Sequence, residues 1–210
     1  MKFSDDPQKT KDDEMPMNTN IYFVRHAEPD YSVHDDATRP LTPKGELAAI
    51  AVAGYFEDKE IDAVLSSPYK RAVDTIKPFA INSNLEVKLV YDFRERKIDS
   101  CWIEDFKGFT QRQWSDFNYK LSDGESLSEV QTRNVAALTE MLDEFAGKNV
   151  IIGSHGTALS TIINHFNPSF SYAEFEKIRA KMPWIVKFTF QNKTLMALEE
   201  ICSKHFASHI

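Results

Sequence analysis

Cysteine is scarce in this chain. Cys101 and Cys202 are its only two, far apart in sequence, so there is no disulfide framework and no Cys-x-x-Cys site. Two reduced thiols in a cytosolic protein are the expected state. Long apolar runs are missing as well, and no stretch approaches the length needed to span a bilayer. Basic residues are outnumbered, with 25 Lys and Arg against 32 Asp and Glu, a formal net charge of -7. That balance argues against nucleic acid or an anionic membrane as partner, since such surfaces are held by clustered Lys and Arg. It leaves room for an anionic small molecule, because a few arginines can dominate the field inside a cleft. Internal repeats, low-complexity linkers, Asp clusters, a P-loop and His-Glu-x-x-His are all lacking, so metal-assisted chemistry has no obvious ligands and no cofactor is expected.

What is present is an ordinary globular composition: 210 residues, 42% hydrophobic, with 15 phenylalanines for a core. Residues 1–18 mix lysines with acidic residues and lack the apolar stretch of a signal peptide, so they are expected to form a polar, mobile tail of a cytoplasmic protein. Residues 19–210 are expected to form one domain.

Ile21 to Val24 is a short β-favouring run of the kind buried on both faces of a sheet. Ala63 to Leu65, Val87 to Tyr91 and Val150 to Gly153 repeat that pattern, and helical stretches alternate with them. Thr42 and Pro43 open one helix, another runs from Tyr69 to about Phe79, and Ser126 with Glu129 forms a capping box before a long third. Gly147 ends that helix. Further helices are expected through Ile162-Ile163 and from Tyr172 to Arg179, and strands over Trp184–Phe190 and Leu195–Leu198. The alternation predicts an α/β fold, a three-layer sandwich with a mostly parallel central sheet and helices on both faces. Residues 96–123 have no clean period and are expected to form a small cap, with a short helix around Gln111 to Phe117.

In open α/β sheets, ligands bind beyond the carboxyl ends of the strands. Here the first strand ends in Arg25-His26, and the second is followed by Arg71. The third runs into Arg94-Glu95, and the fourth into His155-Gly156. Arginine is suited to bidentate phosphate binding, and two His with two Arg would neutralise a phosphoryl group and its transition state. One imidazole can attack phosphorus, and a protonated carboxyl group can donate to the departing oxygen. The set points to phosphoryl chemistry.

These residues resemble the histidine phosphatase superfamily, also called phosphoglycerate-mutase-like. Its Arg-His-Gly-Glu is Arg25-His26-Ala27-Glu28, and its Leu-Thr-x-x-Gly is Leu41 to Gly45. Its Ser-Ser-Pro-x-x-Arg-Ala-x-x-Thr is Ser66 to Thr75. Phe93-Arg94-Glu95, Gly124-Glu125-Ser126 and His155-Gly156 complete the set in the family's order. The resemblance implies His26 as phosphate acceptor, Arg25, Arg71 and His155 as the phosphate pocket, and Glu95 as proton donor and later the base that activates water. Glu28 and Glu104 are the competing carboxylates, and His34 is a candidate substrate contact.

Two departures stand out. Ala27 replaces the usual glycine, and the segment Asp99 to Asp105 differs from the family's Gly-x-Trp-Glu-Gly, with Trp102 one residue further along. The aromatic cap residues Trp102, Phe106, Trp114, Phe117 and Tyr119 are read as cap core in preference to a substrate wall. Gly153 to Gly156 does not meet the spacing of a serine nucleophile elbow. Three functions remain: a phosphomonoesterase acting on a small phosphorylated metabolite, a phosphoglycerate mutase, or a phosphate-binding module. The first is favoured because the chain has no Arg-Arg pair and only about thirty residues between Glu95 and Ser126, whereas the mutases carry a longer cap.

Overall fold

The computed structural model describes residues 17–101 and 103–202. The expectations for residues 1–16, Trp102 and residues 203–210 lie outside that range. Six strands form one sheet: β1 (Asn18–Arg25), β2 (Ala63–Ser66), β3 (Val87–Leu89), β4 (Asn149–Ser154), β5 (Trp184–Gln191) and β6 (Thr194–Ile201). Their order is β3-β2-β4-β1-β5-β6. The first four run parallel, while β5 and β6 add an antiparallel pair. Six helices complete the fold: α1 (Pro43–Phe56), α2 (Lys70–Asn82), α3 (Phe106–Ser115), α4 (Leu127–Glu144), α5 (Gly156–Phe166) and α6 (Tyr172–Ile178).

The central strands are apolar on both faces because helices cover both. Along β1, Ile21 and Phe23 join the core beneath α4 and α5, whereas Tyr22 and Val24 join the core beneath α1 and α2. The neighbours divide alike, Leu65 and Ile152 to the first core and Val64 and Ile151 to the second. This is the three-layer arrangement that the alternation predicts.

Local chemistry sets the helix ends. Thr42 Oγ1 accepts from the Gly45 amide at 3.0 Å, with Pro43 in the first turn. Ser126 and Glu129 form the reciprocal capping box at the start of α4. Gly147 follows α4 with a φ of 74°, a conformation glycine adopts without steric cost. The helix α2 runs past Pro78 to Asn82, because Phe79 and Ala80 are buried and packing outweighs the hydrogen bond that proline forfeits. β3 is shorter than expected, as the chain turns through a 3-10 helix at Tyr91–Phe93. α3 starts five residues earlier than expected, where the Asp105 carboxylate accepts from the Gly108 amide at 2.8 Å.

Candidate active site

The strand ends deliver their polar residues to one edge of the sheet. Arg25 is the last residue of β1, and His26 follows it with its amide bonded to the Ser154 carbonyl at 3.1 Å. The cavity there measures about 770 Å³ and is lined by Arg25, His26, Arg71 and Glu95 among others. Six basic side chains line it (Arg25, Arg39, Arg71, Arg96, Lys97 and Arg179) against the carboxylates of Asp36, Glu95 and Asp99. An acidic chain thus carries a locally basic cleft, the field an anionic ligand requires.

His26 is 5% exposed. Its Nδ1 lies 2.8 Å from the Ala27 carbonyl oxygen. A carbonyl only accepts, so in the neutral ring Nδ1 carries the proton and Nε2 keeps the lone pair. Burial pushes the imidazole well below its ordinary value of 6.5, and Arg71 and Arg25 push it further. The ring is therefore neutral at pH 7. His155 is fully buried, with Nε2 2.7 Å from Ser67 Oγ and the ring centroid 5.4 Å from that of His26. Burial, then Arg71 and His26, likewise lower its pKa well below the ordinary range. Its Nδ1 is buried with no hydrogen-bond partner among the described residues.

The two arginines are anchored from outside. Arg25 Nη1 donates to the carbonyls of Ile178 at 2.8 Å, the last residue of α6, and of Lys181 at 3.1 Å, just past it. Its Nε is buried with no partner among the described residues, as befits a donor for an anion. Arg71, 3% exposed, donates from Nη1 to the Asp36 carbonyl and lies 3.3 Å from the Asp36 carboxylate. Its guanidinium also faces the Tyr69 ring.

Glu95 sits on the first turn of α5. Its carboxylate accepts from the amides of Thr157 at 3.0 Å, Ala158 at 3.2 Å and Arg96 at 2.9 Å. The helix needs this cap, because its N-cap residue His155 makes no side-chain capping bond. Of the competing carboxylates, Glu28 is taken by Thr42 Oγ1 at 3.1 Å and Lys44 Nζ at 3.0 Å, and neither Glu28 nor Glu104 lines the cavity. His34 does line it, while Arg94 faces away onto Tyr91, Asp92 and Glu125.

Two arginines that sequence reasoning passed over shape the site. Arg133, on α4, donates to the carbonyls of Asp92 at 2.7 Å, Arg94 at 2.9 Å and Glu95 at 3.3 Å. It also bonds the Glu125 carboxylate at 2.8 Å and 3.1 Å, and that carboxylate accepts from the Lys97 amide at 2.8 Å. Burial would raise the Glu125 pKa, but Arg133, the Lys97 amide and Arg94 together hold it below the usual range. Gly124 lets this strut approach closely, since a Cβ there would meet the Ile98 carbonyl oxygen at 2.1 Å. The segment bearing Glu95 is thus clamped on both sides. Arg96, 3% exposed, bonds Gln113 and Thr110, and its guanidinium lies over the rings of Phe106 at 5.5 Å and Phe109 at 5.2 Å. Burial lowers its pKa to about 10, so it remains a cation that ties the cap together.

A family model for the histidine phosphatase superfamily (branch 1) matches residues 21–200. The chain belongs to the histidine phosphatase superfamily. Among curated proteins, the probable phosphoglycerate mutase GpmB of Shigella dysenteriae serotype 1 (strain Sd197) is 27% identical over 158 residues, 69% of this chain and 73% of that protein. Among solved structures, the mycobacterial glucosyl-3-phosphoglycerate phosphatase superposes with a TM-score of 0.70 at 16% identity, over 87% of this chain and 97% of that one. The phosphoserine phosphatase of Entamoeba histolytica, solved with phosphoserine, gives 0.70 at 20% identity, over 89% and 98%. At these identities the structures establish the shared fold.

As a member of the histidine phosphatase superfamily, the chain brings the five expected residues, Arg25, His26, Arg71, Glu95 and His155, around one cavity mouth or directly behind it. Trp114 and Phe117 pack as cap core, but Phe106 lines the cavity. Among the described residues no group of three or more His, Cys, Asp and Glu could hold a metal ion, and no helix is long and apolar enough to cross a membrane.

Proposed function

We propose that this protein is a metal-independent phosphomonoesterase that hydrolyses a small phosphorylated metabolite through a phosphohistidine on His26. The observation that carries the reading is the pairing of a neutral, buried His26, proton on Nδ1, with a cleft of arginines. In the first step the Nε2 lone pair attacks phosphorus and the P–O bond of the ester breaks. The leaving oxygen takes a proton from Glu95, and Arg25, Arg71 and His155 stabilise the charge on the equatorial oxygens. In the second step the Glu95 carboxylate accepts a proton from water. The water oxygen forms a bond to phosphorus, the N–P bond breaks, and inorganic phosphate leaves with His26 neutral again.

Cys101 and Cys202 form no disulfide, in keeping with a reducing cytoplasm as its place of action. No nucleic acid or membrane partner is invoked.

A mutase reading has support in the name of the curated relatives. Against it stands the small cap, whose described residues hold the single helix α3. With the phosphohistidine open to water, 3-phosphoglycerate should yield phosphate and negligible 2-phosphoglycerate. Isomerisation faster than phosphate release would reverse the ranking. Phosphate release from an aryl phosphate should persist in EDTA and vanish in His26→Ala. Activity that only added Mg²⁺ or Zn²⁺ restores would sink the mechanism.

A further inference from the structure

The phosphate end accounts for only part of the cavity. Its volume of about 770 Å³ lies within the roughly 300–1,000 Å³ of sites that enclose drug-sized ligands, so most of it is shaped around the rest of the substrate. The lining carries apolar side chains as well as basic ones, and two of the aromatic rings lie beneath guanidinium groups, Tyr31 under Arg39 and Phe106 under Arg96, each at 5.5 Å. Ile98, Ile103 and Phe106 come from the cap, Phe175 from α6, and Tyr31 from the loop after β1. Phe106 is 39% exposed and Tyr31 55%, a cost in water that a ligand surface would offset. The wall is held in place: the Phe106 ring lies 5.5 Å from the buried Arg96 guanidinium, and Phe175 packs on Trp114 at 5.4 Å.

The cavity is equally marked by the polar groups its lining lacks. A sugar or polyol body needs several neutral hydrogen-bonding partners, and amide side chains are the usual ones. Among the described residues no Asn or Gln side chain lines this cavity, and the Ser100 hydroxyl is already committed to Asp123 at 2.7 Å. A hydroxyl set against Ile103, Phe106 or Phe175 would lose its water bonds without replacement from those side chains.

We propose that the substrate is the phosphomonoester of an alcohol with a compact apolar or aromatic body, seated against Phe106, Ile103 and Phe175. This rests on the reading of the site as a phosphomonoesterase, and it departs from the sugar-, glycerate- and serine-bearing phosphates in the names of the relatives.

The test compares 2-phenylethyl phosphate with glucose 6-phosphate. Both are esters of primary alcohols, so their leaving groups make similar demands on the acid. The wild-type kcat/KM should favour the phenylethyl ester at least about tenfold, the scale of one well-buried apolar group. Phe106→Ser and Ile103→Ser should each reduce that ratio about threefold or more. Titration calorimetry on His26→Ala reads the same preference without turnover, and the phenylethyl ester should bind more tightly there too. If the wild type releases no phosphate but His26→Ala keeps the preference, hydrolysis is refuted and the substrate class stands. Equal or reversed preference in both measurements, or a ratio that neither wall substitution moves, overturns the inference.

Discussion

The two ends of the cavity are built in different ways. At the phosphate end His26, Arg71 and His155 are 5%, 3% and 0% exposed and issue from paired strands or the helix turn that follows one. Their positions are set by a sheet whose side chains alternate between two cores. At the other end the cap hangs on side-chain bonds, chiefly from Arg96, and the loop bearing Tyr31 is pinned through Arg39 and Asp36. A backbone ladder tolerates little change in what it aims, whereas a cap of this kind can be rebuilt without disturbing the chemistry. On the proposed function, reaction and specificity would fall to differently built parts, joined where Asp36 of the Tyr31 loop holds Arg71 and where α6 anchors Arg25.

If phosphate-end substitutions acted only on folding, the two ends would not differ in kind, so the largest expected effect is chemical. Glu95→Gln should lose on the order of a hundredfold in turnover of an alkyl phosphate, the usual scale for general acid catalysis. The burst with an aryl phosphate, whose leaving group needs no proton, should suffer far less. Equal burst losses on both would show that Glu95 is not the acid.

Arg133→Met should produce the same leaving-group dependence at about tenfold, since Arg133 holds three carbonyls beside Glu95 without lining the cavity. Rapid-quench kinetics on the two esters would check it. A uniform loss on both esters, tracking a lower Tm, would reduce Arg133 to a fold contact.

The histidines bear on stability. Both have folded pKa values well below 6.5, so below that pH the unfolded chain binds more protons than the folded one. Stability is fully present above pH 6.5 and is lost as pH falls below it, by up to about 1.4 kcal/mol per pH unit for each histidine. Urea denaturation at pH 7.5 and 5.5 should show that slope, and His155→Gln should reduce it. By contrast, aryl phosphatase activity should not decline near pH 6.5, where an ordinary histidine would protonate.

The smallest effect belongs to the cap. Phe106→Ser should shift Tm by only a few degrees, because the ring is 39% exposed, while it changes which ester is preferred.

The same division governs how much could be read from the chain itself. The strands end abruptly at charged residues, and that pattern marks Arg25, His26, Arg71, Glu95 and His155 without any knowledge of contacts. Arg133 lies mid-helix, where an arginine ordinarily faces water, and its carbonyl partners are about forty residues away. No local pattern encodes such a reach. Arg96 was hidden likewise, since its partners Thr110 and Gln113 lie across the cap. The start of α3 was legible in principle, because Asp105 is an N-cap residue type ahead of Phe106. β6 runs longer than its apolar part, since Glu199 and Glu200 sit on an exposed edge strand.

On the proposed mechanism, Nε2 of His26 attacks because Nδ1 is tied to the Ala27 carbonyl. ³¹P NMR of the phosphoenzyme, trapped from an aryl phosphate and denatured in base, separates the two phosphohistidine isomers. The expected species is an acid-labile, base-stable Nε2-phosphohistidine that is lost in His26→Ala. A phosphoryl group on Nδ1, or on any other residue, would contradict it.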